Sequence, residues 1–224
     1  MLSDSYFPEK TLVNNRRLGK QDTLFSAGDE LHSVYSVRSG FFRSTALLGA
    51  GIEQVTGFQM SGDALGLEGI ESGRYESTVV ALENSHVCVI PYPRVGGRAR
   101  DRALSARQMQ ASMGLQIVRH QGAMCLLGGA RCEERVASFL LDLSERYAAR
   151  GNSRTEFLLR ATRHDIGSLL GMTLETVSRT MSAFEDDGLL AVSGKQLRIT
   201  DLEGLKLRAL AKDAVTRSPV HAPG

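Results

Sequence analysis

The sequence lacks most of the signals that would make it a membrane, secreted or catalytic protein. No apolar run approaches the roughly 18 residues a membrane-spanning helix needs. The opening stretch MLSDSYFPEK shows no basic-then-apolar export pattern, so a cytoplasmic location is the default expectation. Cysteine is scarce: three residues, Cys88, Cys125 and Cys132, an odd number without close spacing, which argues against a disulfide framework. The five histidines show no metal-ligand spacing, and there is no triad, no phosphate-cradling loop and no nucleophile beside a base. An enzyme is therefore not expected. Excess charge is also missing. A formal net charge of +2 over 224 residues neither proves nor excludes nucleic-acid binding. Hydrophobic content of 42% and charged content of 23% are ordinary for a folded domain, and no internal repeat is present.

What is present concentrates in one segment, TRHDIGSLLGMTLETVSRTMSAFEDDGLL, from Thr162 to Leu190. Thr162 with Asp165 three residues on forms a capping box, which predicts a helix start. Ile166, Leu169 and Leu170 follow at helical spacing, and Gly171 stops the helix. Thr173 caps a second helix. There Val177, Met181 and Phe184 make an inward apolar stripe, while Glu175, Ser178, Arg179 and Ser182 make an outward polar one. Gly188 ends it. Such a pair is a helix-turn-helix unit, whose second helix enters the major groove. The outward residues suit base reading. Arg179 offers paired donors to guanine O6 and N7, Glu175 accepts from a cytosine amine, and Ser178 reaches a base edge or a phosphate. A polar face on an ordinary surface helix is the competing reading. Two short runs, Leu189–Val192 and Gln196–Ile199, flank Ser193-Gly194-Lys195 and predict a hairpin, which makes the unit a winged helix.

These residues resemble the Crp/Fnr family of transcription regulators, and its Fnr branch in particular. The resemblance rests on Thr162-Arg163-x-Asp165-Ile166-Gly167, Leu170-Gly171-Met172-Thr173 and Glu175-Thr176-Val177-Ser178-Arg179, and runs from about Leu24 to Leu205. It implies a homodimer on double-stranded DNA, reading an inverted repeat of TTGAT-like half-sites with Glu175, Ser178 and Arg179. Thr173, Arg163, His164, Ser182 and Lys195 are the further candidate DNA contacts. A small-ligand sensor acting through a protein partner is the alternative, and the intact second helix argues against it.

The first hundred residues read as a β domain. Short runs at Thr23–Ser26, Val34–Arg38, Phe41–Leu48, Gln54–Met60 and Thr78–Ile90 are separated by glycine turns, which suggests a sandwich or barrel. The resemblance implies the jelly-roll effector domain, so the fold class expected is α+β. Its cyclic-AMP members hold the nucleotide with Gly-Glu and Arg-Ser. The matching places here are Gly66-Leu67 and Glu76-Ser77. Leu67 cannot accept from a ribose, and Glu76 sets a negative charge against a phosphate; nearby Arg74 is the alternative cation, but cyclic AMP is not expected. The oxygen-sensing members hold an iron–sulfur cluster with four cysteines. Cys88 matches one of them, but the stretch before Leu24 contains no cysteine. No cofactor is expected, unless cysteines lie upstream of Met1.

A long helix is expected from about Asp101. Ala106, Gln110, Met113, Ile117, His120, Met124 and Leu127 alternate by four and three, a dimer seam in which His120 meets its own copy. A helix buried against its own barrel is the other reading. Gly128-Gly129 is read as the break and hinge, followed by an amphipathic helix carrying Val136, Phe139, Leu140, Leu143 and Tyr147. The expected organisation is an effector domain at 1–100, a dimerisation helix at 101–129, a winged helix at 130–212 and a disordered tail at 213–224. The family resemblance also implies a loop at Gly51-Ile52-Glu53 touching RNA polymerase, as in activators.

Overall fold

The computed structural model describes residues 14–49, 51–92 and 99–210, with the side chains of 99–106 and 108 left aside. The expectations for residues 1–13, the seam side chain of Ala106 and the tail from Asp213 lie outside these residues. Contacts divide the chain into two compact units. One holds the residues up to Gln121 together with Arg160–Leu169; the other holds Gly122–Leu159 and the residues from Leu170 on.

The first unit is built on two four-stranded antiparallel sheets. β1 (Asn14–Leu18), β8 (Ser85–Pro91), β3 (Ser33–Ser39) and β6 (Ala64–Leu65) lie in that order in one sheet. β2 (Thr23–Phe25), β7 (Thr78–Ala81), β4 (Phe41–Leu48) and β5 (Ile52–Met60) form the other. Period-two alternation decides which side chains go inside. Tyr35 and Val37 of β3 join Phe25, Phe42, Tyr75, Val79, Ala81 and Val87 in the core. Val34, on the opposite face, joins Ala64, Leu67 and Ile90 in a second cluster, against which Met109 and Met113 pack. At the β3–β4 turn Gly40 has φ +103°, and a Cβ there would lie 2.0 Å from Ser85 Oγ, so only glycine fits.

Two features of the β domain differ from the expectation. The run Thr78–Ile90 is two strands, because β7 and β8 belong to different sheets and the chain turns a corner between them at residues 82–84. β1 gave no apolar signal: of NNRRL only Leu18 is buried.

The long helix α1 spans Ala99–Gly129. It ends at Gly129, so the Gly128-Gly129 pair stands in its last turn and the chain breaks just after it. Glycine costs a helix about 1 kcal/mol per residue but does not forbid it, and Ala130 N still donates to Leu126 O. The break falls at Ala130–Arg131, where Arg131 turns extended (ψ 165°) and its amide donates to Glu134 Oε2 at the start of α2 (Cys132–Ala148). In the second unit α2 buries Val136, Phe139, Leu140 and Leu143. A three-stranded sheet in the order β10 (Leu190–Ser193), β11 (Gln196–Ile199), β9 (Glu156–Leu158) completes the wing. α3 (Arg163–Leu170), α4 (Leu174–Asp186) and α5 (Leu202–Ala209) are the remaining helices, and α4 and α5 both pack on α2.

Candidate nucleic-acid interface

α4 is positioned by its own apolar stripe. Val177, Met181 and Phe184 are at most 2% exposed, and burying three such side chains contributes roughly 1.5–3 kcal/mol each. The helix is started by Thr173, whose Oγ1 accepts from Thr176 N at 3.2 Å. Gly171, at φ +64°, turns the chain into that cap, and Gly188, at φ +71°, turns it out again.

The same rotation that buries Val177 turns the predicted readers outward. Glu175, Arg179 and Ser182 are exposed and Ser178 is half-buried between them. Glu175 and Arg179 sit one turn apart. A backbone amide at the helix start, the Thr173 hydroxyl and the Arg179 charge together hold the Glu175 carboxyl below its ordinary range. It is therefore an acceptor at neutral pH. Thr173 and Lys195 are also exposed, Lys195 in the β10–β11 turn beside Gly194 at φ +60°. Val192 N donates to Glu185 Oε1 at 2.9 Å, which ties the wing to the far end of α4.

One exposed residue escapes the sequence pattern. Leu174 precedes Glu175 and is 43% exposed. Its spacing to Val177 and Met181 reads as buried, yet as the first residue of the helix it has no preceding turn to cover it. An apolar side chain there offers contact to a thymine methyl, which no polar stripe reveals.

α3 lies in the first unit up to Leu169, with Leu170 in the second. Its capping box forms as the sequence predicts: Thr162 N donates to Asp165 Oδ2, and Asp165 N donates to Thr162 Oγ1, both at 3.1 Å. His164 is exposed and Arg163 half-buried. Asp165 is also bonded by Arg43 Nη1 of β4 at 2.6 Å. Ser168 Oγ accepts from Val55 N at 2.8 Å, and Gln54 Nε2 donates to Ser168 O at 3.0 Å.

The seam positions separate along α1. Met113 is half-buried against the effector-domain cluster, so near the barrel the competing reading applies. Gln110 and His120 are exposed, and Ile117 (55%), Met124 (71%) and Leu127 (39%) are exposed apolar residues. A second exposed apolar group, Leu47, Leu48 and Ile52, lies at the β4–β5 tip, beside exposed Gly51 and Glu53.

Residues 134–208 match the Crp-like helix-turn-helix domain, and residues 15–96 match the cyclic nucleotide-binding domain. The transcriptional regulatory protein btr of Bordetella pertussis is 41% identical over 196 residues, covering 87% of this chain and 81% of that protein. The chain belongs to the Crp/Fnr family of transcription regulators. The fumarate and nitrate reduction regulatory protein of Escherichia coli is 40% identical over 197 residues, covering 88% of this chain and 79% of the other. FixK2 from Bradyrhizobium japonicum has the same architecture, with a TM-score of 0.72 and 30% identity over 86% of this chain and 95% of its own. The α+β class, the effector domain and the helix-turn-helix expected from the sequence are those of the family. Like its relatives, this Crp/Fnr regulator is a DNA-binding protein and not an enzyme, and none of its described helices is long and apolar enough to cross a membrane.

Aromatic side chains fill part of the core of the effector domain. Tyr75 stacks on Phe25 with ring centroids 3.9 Å apart, Tyr35 lies beside them, and Tyr75 Oη donates to Ser33 O at 2.6 Å. Burial pushes the Tyr75 hydroxyl pKa well up, so it stays a neutral donor. Leu67 is buried, Ser77 Oγ donates to Glu68 Oε1 at 2.6 Å, and Glu76 accepts from Ser72. Leu67 and Glu76 stand at these positions, and the nearby Arg74 Nη1 donates to Gly28 O at 2.7 Å. Cys88 is fully buried on β8 and its thiol donates to Asn15 Oδ1 at 3.4 Å. The other two cysteines, Cys125 and Cys132, sit exposed on α1 and α2.

Proposed function

We propose that this chain acts as a homodimer on double-stranded DNA, reading an inverted repeat of TTGAT-like half-sites with one α4 per half-site. The observation that carries the reading is the outward face of α4, where Glu175, Ser178 and Arg179 project together beside a buried Val177–Met181–Phe184 stripe. Arg179 donates twice to guanine, the ionised Glu175 accepts from a cytosine amine, and Ser178 touches a neighbouring base or phosphate. Thr173, Arg163, His164, Ser182 and Lys195 position the protein on the backbone, and Leu174 packs on a thymine methyl. The exposed Ile117, Met124 and Leu127 with His120 form the seam with a second copy. The Gly51-Ile52-Glu53 tip with Leu47 and Leu48 is the contact for RNA polymerase, which makes the protein an activator. Its work needs neither cyclic AMP nor an iron–sulfur cluster.

A gel shift tests this with TTGAT–N4–ATCAA, a scrambled duplex and a single half-site. The full repeat is retained at the lowest protein concentration, as a complex with two chains. Equal retention of repeat and scramble rejects the reading. Anaerobic reconstitution with iron and sulfide leaves no stoichiometric visible absorbance, and a cluster that forms and governs binding rejects that part alone.

A further inference from the structure

In the second unit the end of α1, the start of α2 and the turn leading into α4 meet at one side chain. Arg135 lies in the first turn of α2. Its Nε donates to Ala130 O at 3.0 Å, its Nη2 to Leu127 O at 3.1 Å and its Nη1 to Leu170 O at 3.0 Å. Leu127 and Ala130 carry carbonyls at the C-terminal end of α1. Leu170 is the residue before Gly171, where the chain turns toward α4. A helix leaves its last four carbonyls without intrahelical donors. A guanidinium presents five N–H groups in a rigid fork and can meet several of them at once. The approach is close as well as hydrogen-bonded. A Cβ on Gly171 would lie 3.3 Å from Leu127 Cδ2 and 3.6 Å from Arg135 Nη1, and φ there is +64°. The turn, the seam residue and the guanidinium are thus packed against one another three residues before α4 begins.

We propose that Arg135 is a positioning residue for DNA reading. It locks the start of α4 to the end of the seam helix, and so fixes which spacing between half-sites the dimer accepts. This rests on the dimer and inverted-repeat reading above. The physical reason is the pitch of B-DNA. One added base pair moves a half-site by about 3.4 Å and rotates it by about 35° about the duplex axis. A rigid joint between seam and reading helix cannot follow that rotation, whereas a loose joint can. Arg135 acts through Leu127, Ala130 and Leu170 and touches no base, so its loss shows as lost spacing discrimination and leaves base recognition in place.

The test measures anisotropy of wild type, Arg135→Gln and Arg135→Lys on TTGAT–Nx–ATCAA duplexes with three- to six-base-pair spacers and on a single half-site. Melting and sedimentation accompany each protein. Wild type prefers its best spacer by about tenfold or more, the scale of one mismatched base pair. Arg135→Gln flattens that preference to within about threefold while keeping single-half-site affinity within about twofold, and Arg135→Lys falls between, because an ammonium is a point donor and not a fork. A wild-type spacer profile in Arg135→Gln overturns the inference. So does an equal loss on the single half-site, which marks a merely structural role. Should Arg135→Gln fail to fold or dimerise, Arg135→Lys decides by the same two criteria. A wild type with no spacer preference overturns the inverted-repeat reading, and the inference falls with it.

Discussion

Asp165 is bound at once by its own helix and by a residue 122 positions earlier. Its carboxylate accepts from Thr162 at the start of α3 and from Arg43 Nη1 on β4 at 2.6 Å, and its side chain is 4% exposed. A capping residue of the helix-turn-helix is thereby also an anchor on the effector domain. Burial alone would raise its pKa, but the Thr162 and Arg43 hydrogen bonds outweigh it and hold the carboxyl below its ordinary value.

The sign of the pH dependence follows. With the folded pKa depressed, the unfolded chain binds more protons at mildly acidic pH, so this stabilisation is present at neutral pH and is lost as pH falls through the folded pKa, below about 3.9. Asp165→Asn is expected to cost about 1–3 kcal/mol at neutral pH, the scale of hydrogen bonds to a charged group. The gap to wild type should close at acid pH. Thermal melts of both proteins across pH 3–7 check this, and a pH-independent gap contradicts it.

The seam is tested at Met124. It is 71% exposed in the single chain, so Met124→Arg leaves the protomer fold unchanged while placing two like charges at the two-fold axis. Sedimentation should show a monomer. Affinity for the inverted repeat should fall by about a hundredfold as avidity is lost, with a single half-site bound as before. A dimer with full affinity places the interface elsewhere.

Lys195, exposed at the wing tip, is assigned to phosphate. Lys195→Ala should weaken consensus and random duplexes alike and lower the slope of log affinity against log salt by about 1. A loss confined to the consensus duplex makes it a base contact.

The parts of the structure with several agreeing local signals are legible in the sequence. α4 carries a cap, two stripes and a terminal glycine, and each is where the pattern places it. The Thr162–Asp165 box is equally local. What failed to show depends on distant partners or on details of a helix end that spacing does not carry. Asp165 reads as a cap alone because nothing near it announces Arg43. β1 holds one buried residue and so has no alternation to detect. Thr78–Ile90 reads as one run because both strands are apolar, and only the sheets they join separate them. Gly128-Gly129 reads as the break, and α1 does end at Gly129, but the turn itself is made two residues on, where Arg131 becomes extended and Glu134 receives its amide. Leu174 looks buried by spacing and is exposed by its place at the helix start.

α4 is assigned to base reading, and Arg179 to the guanine of each half-site. The direct measurement is an anisotropy cycle crossing wild type and Arg179→Ala with the TTGAT–N4–ATCAA duplex and with a duplex whose half-site guanines are replaced. Arg179→Ala should cost about 1–3 kcal/mol per contact on the consensus and far less on the substituted duplex, because the bidentate pair is lost only where it existed. An equal loss on both duplexes makes Arg179 a backbone contact and contradicts the account.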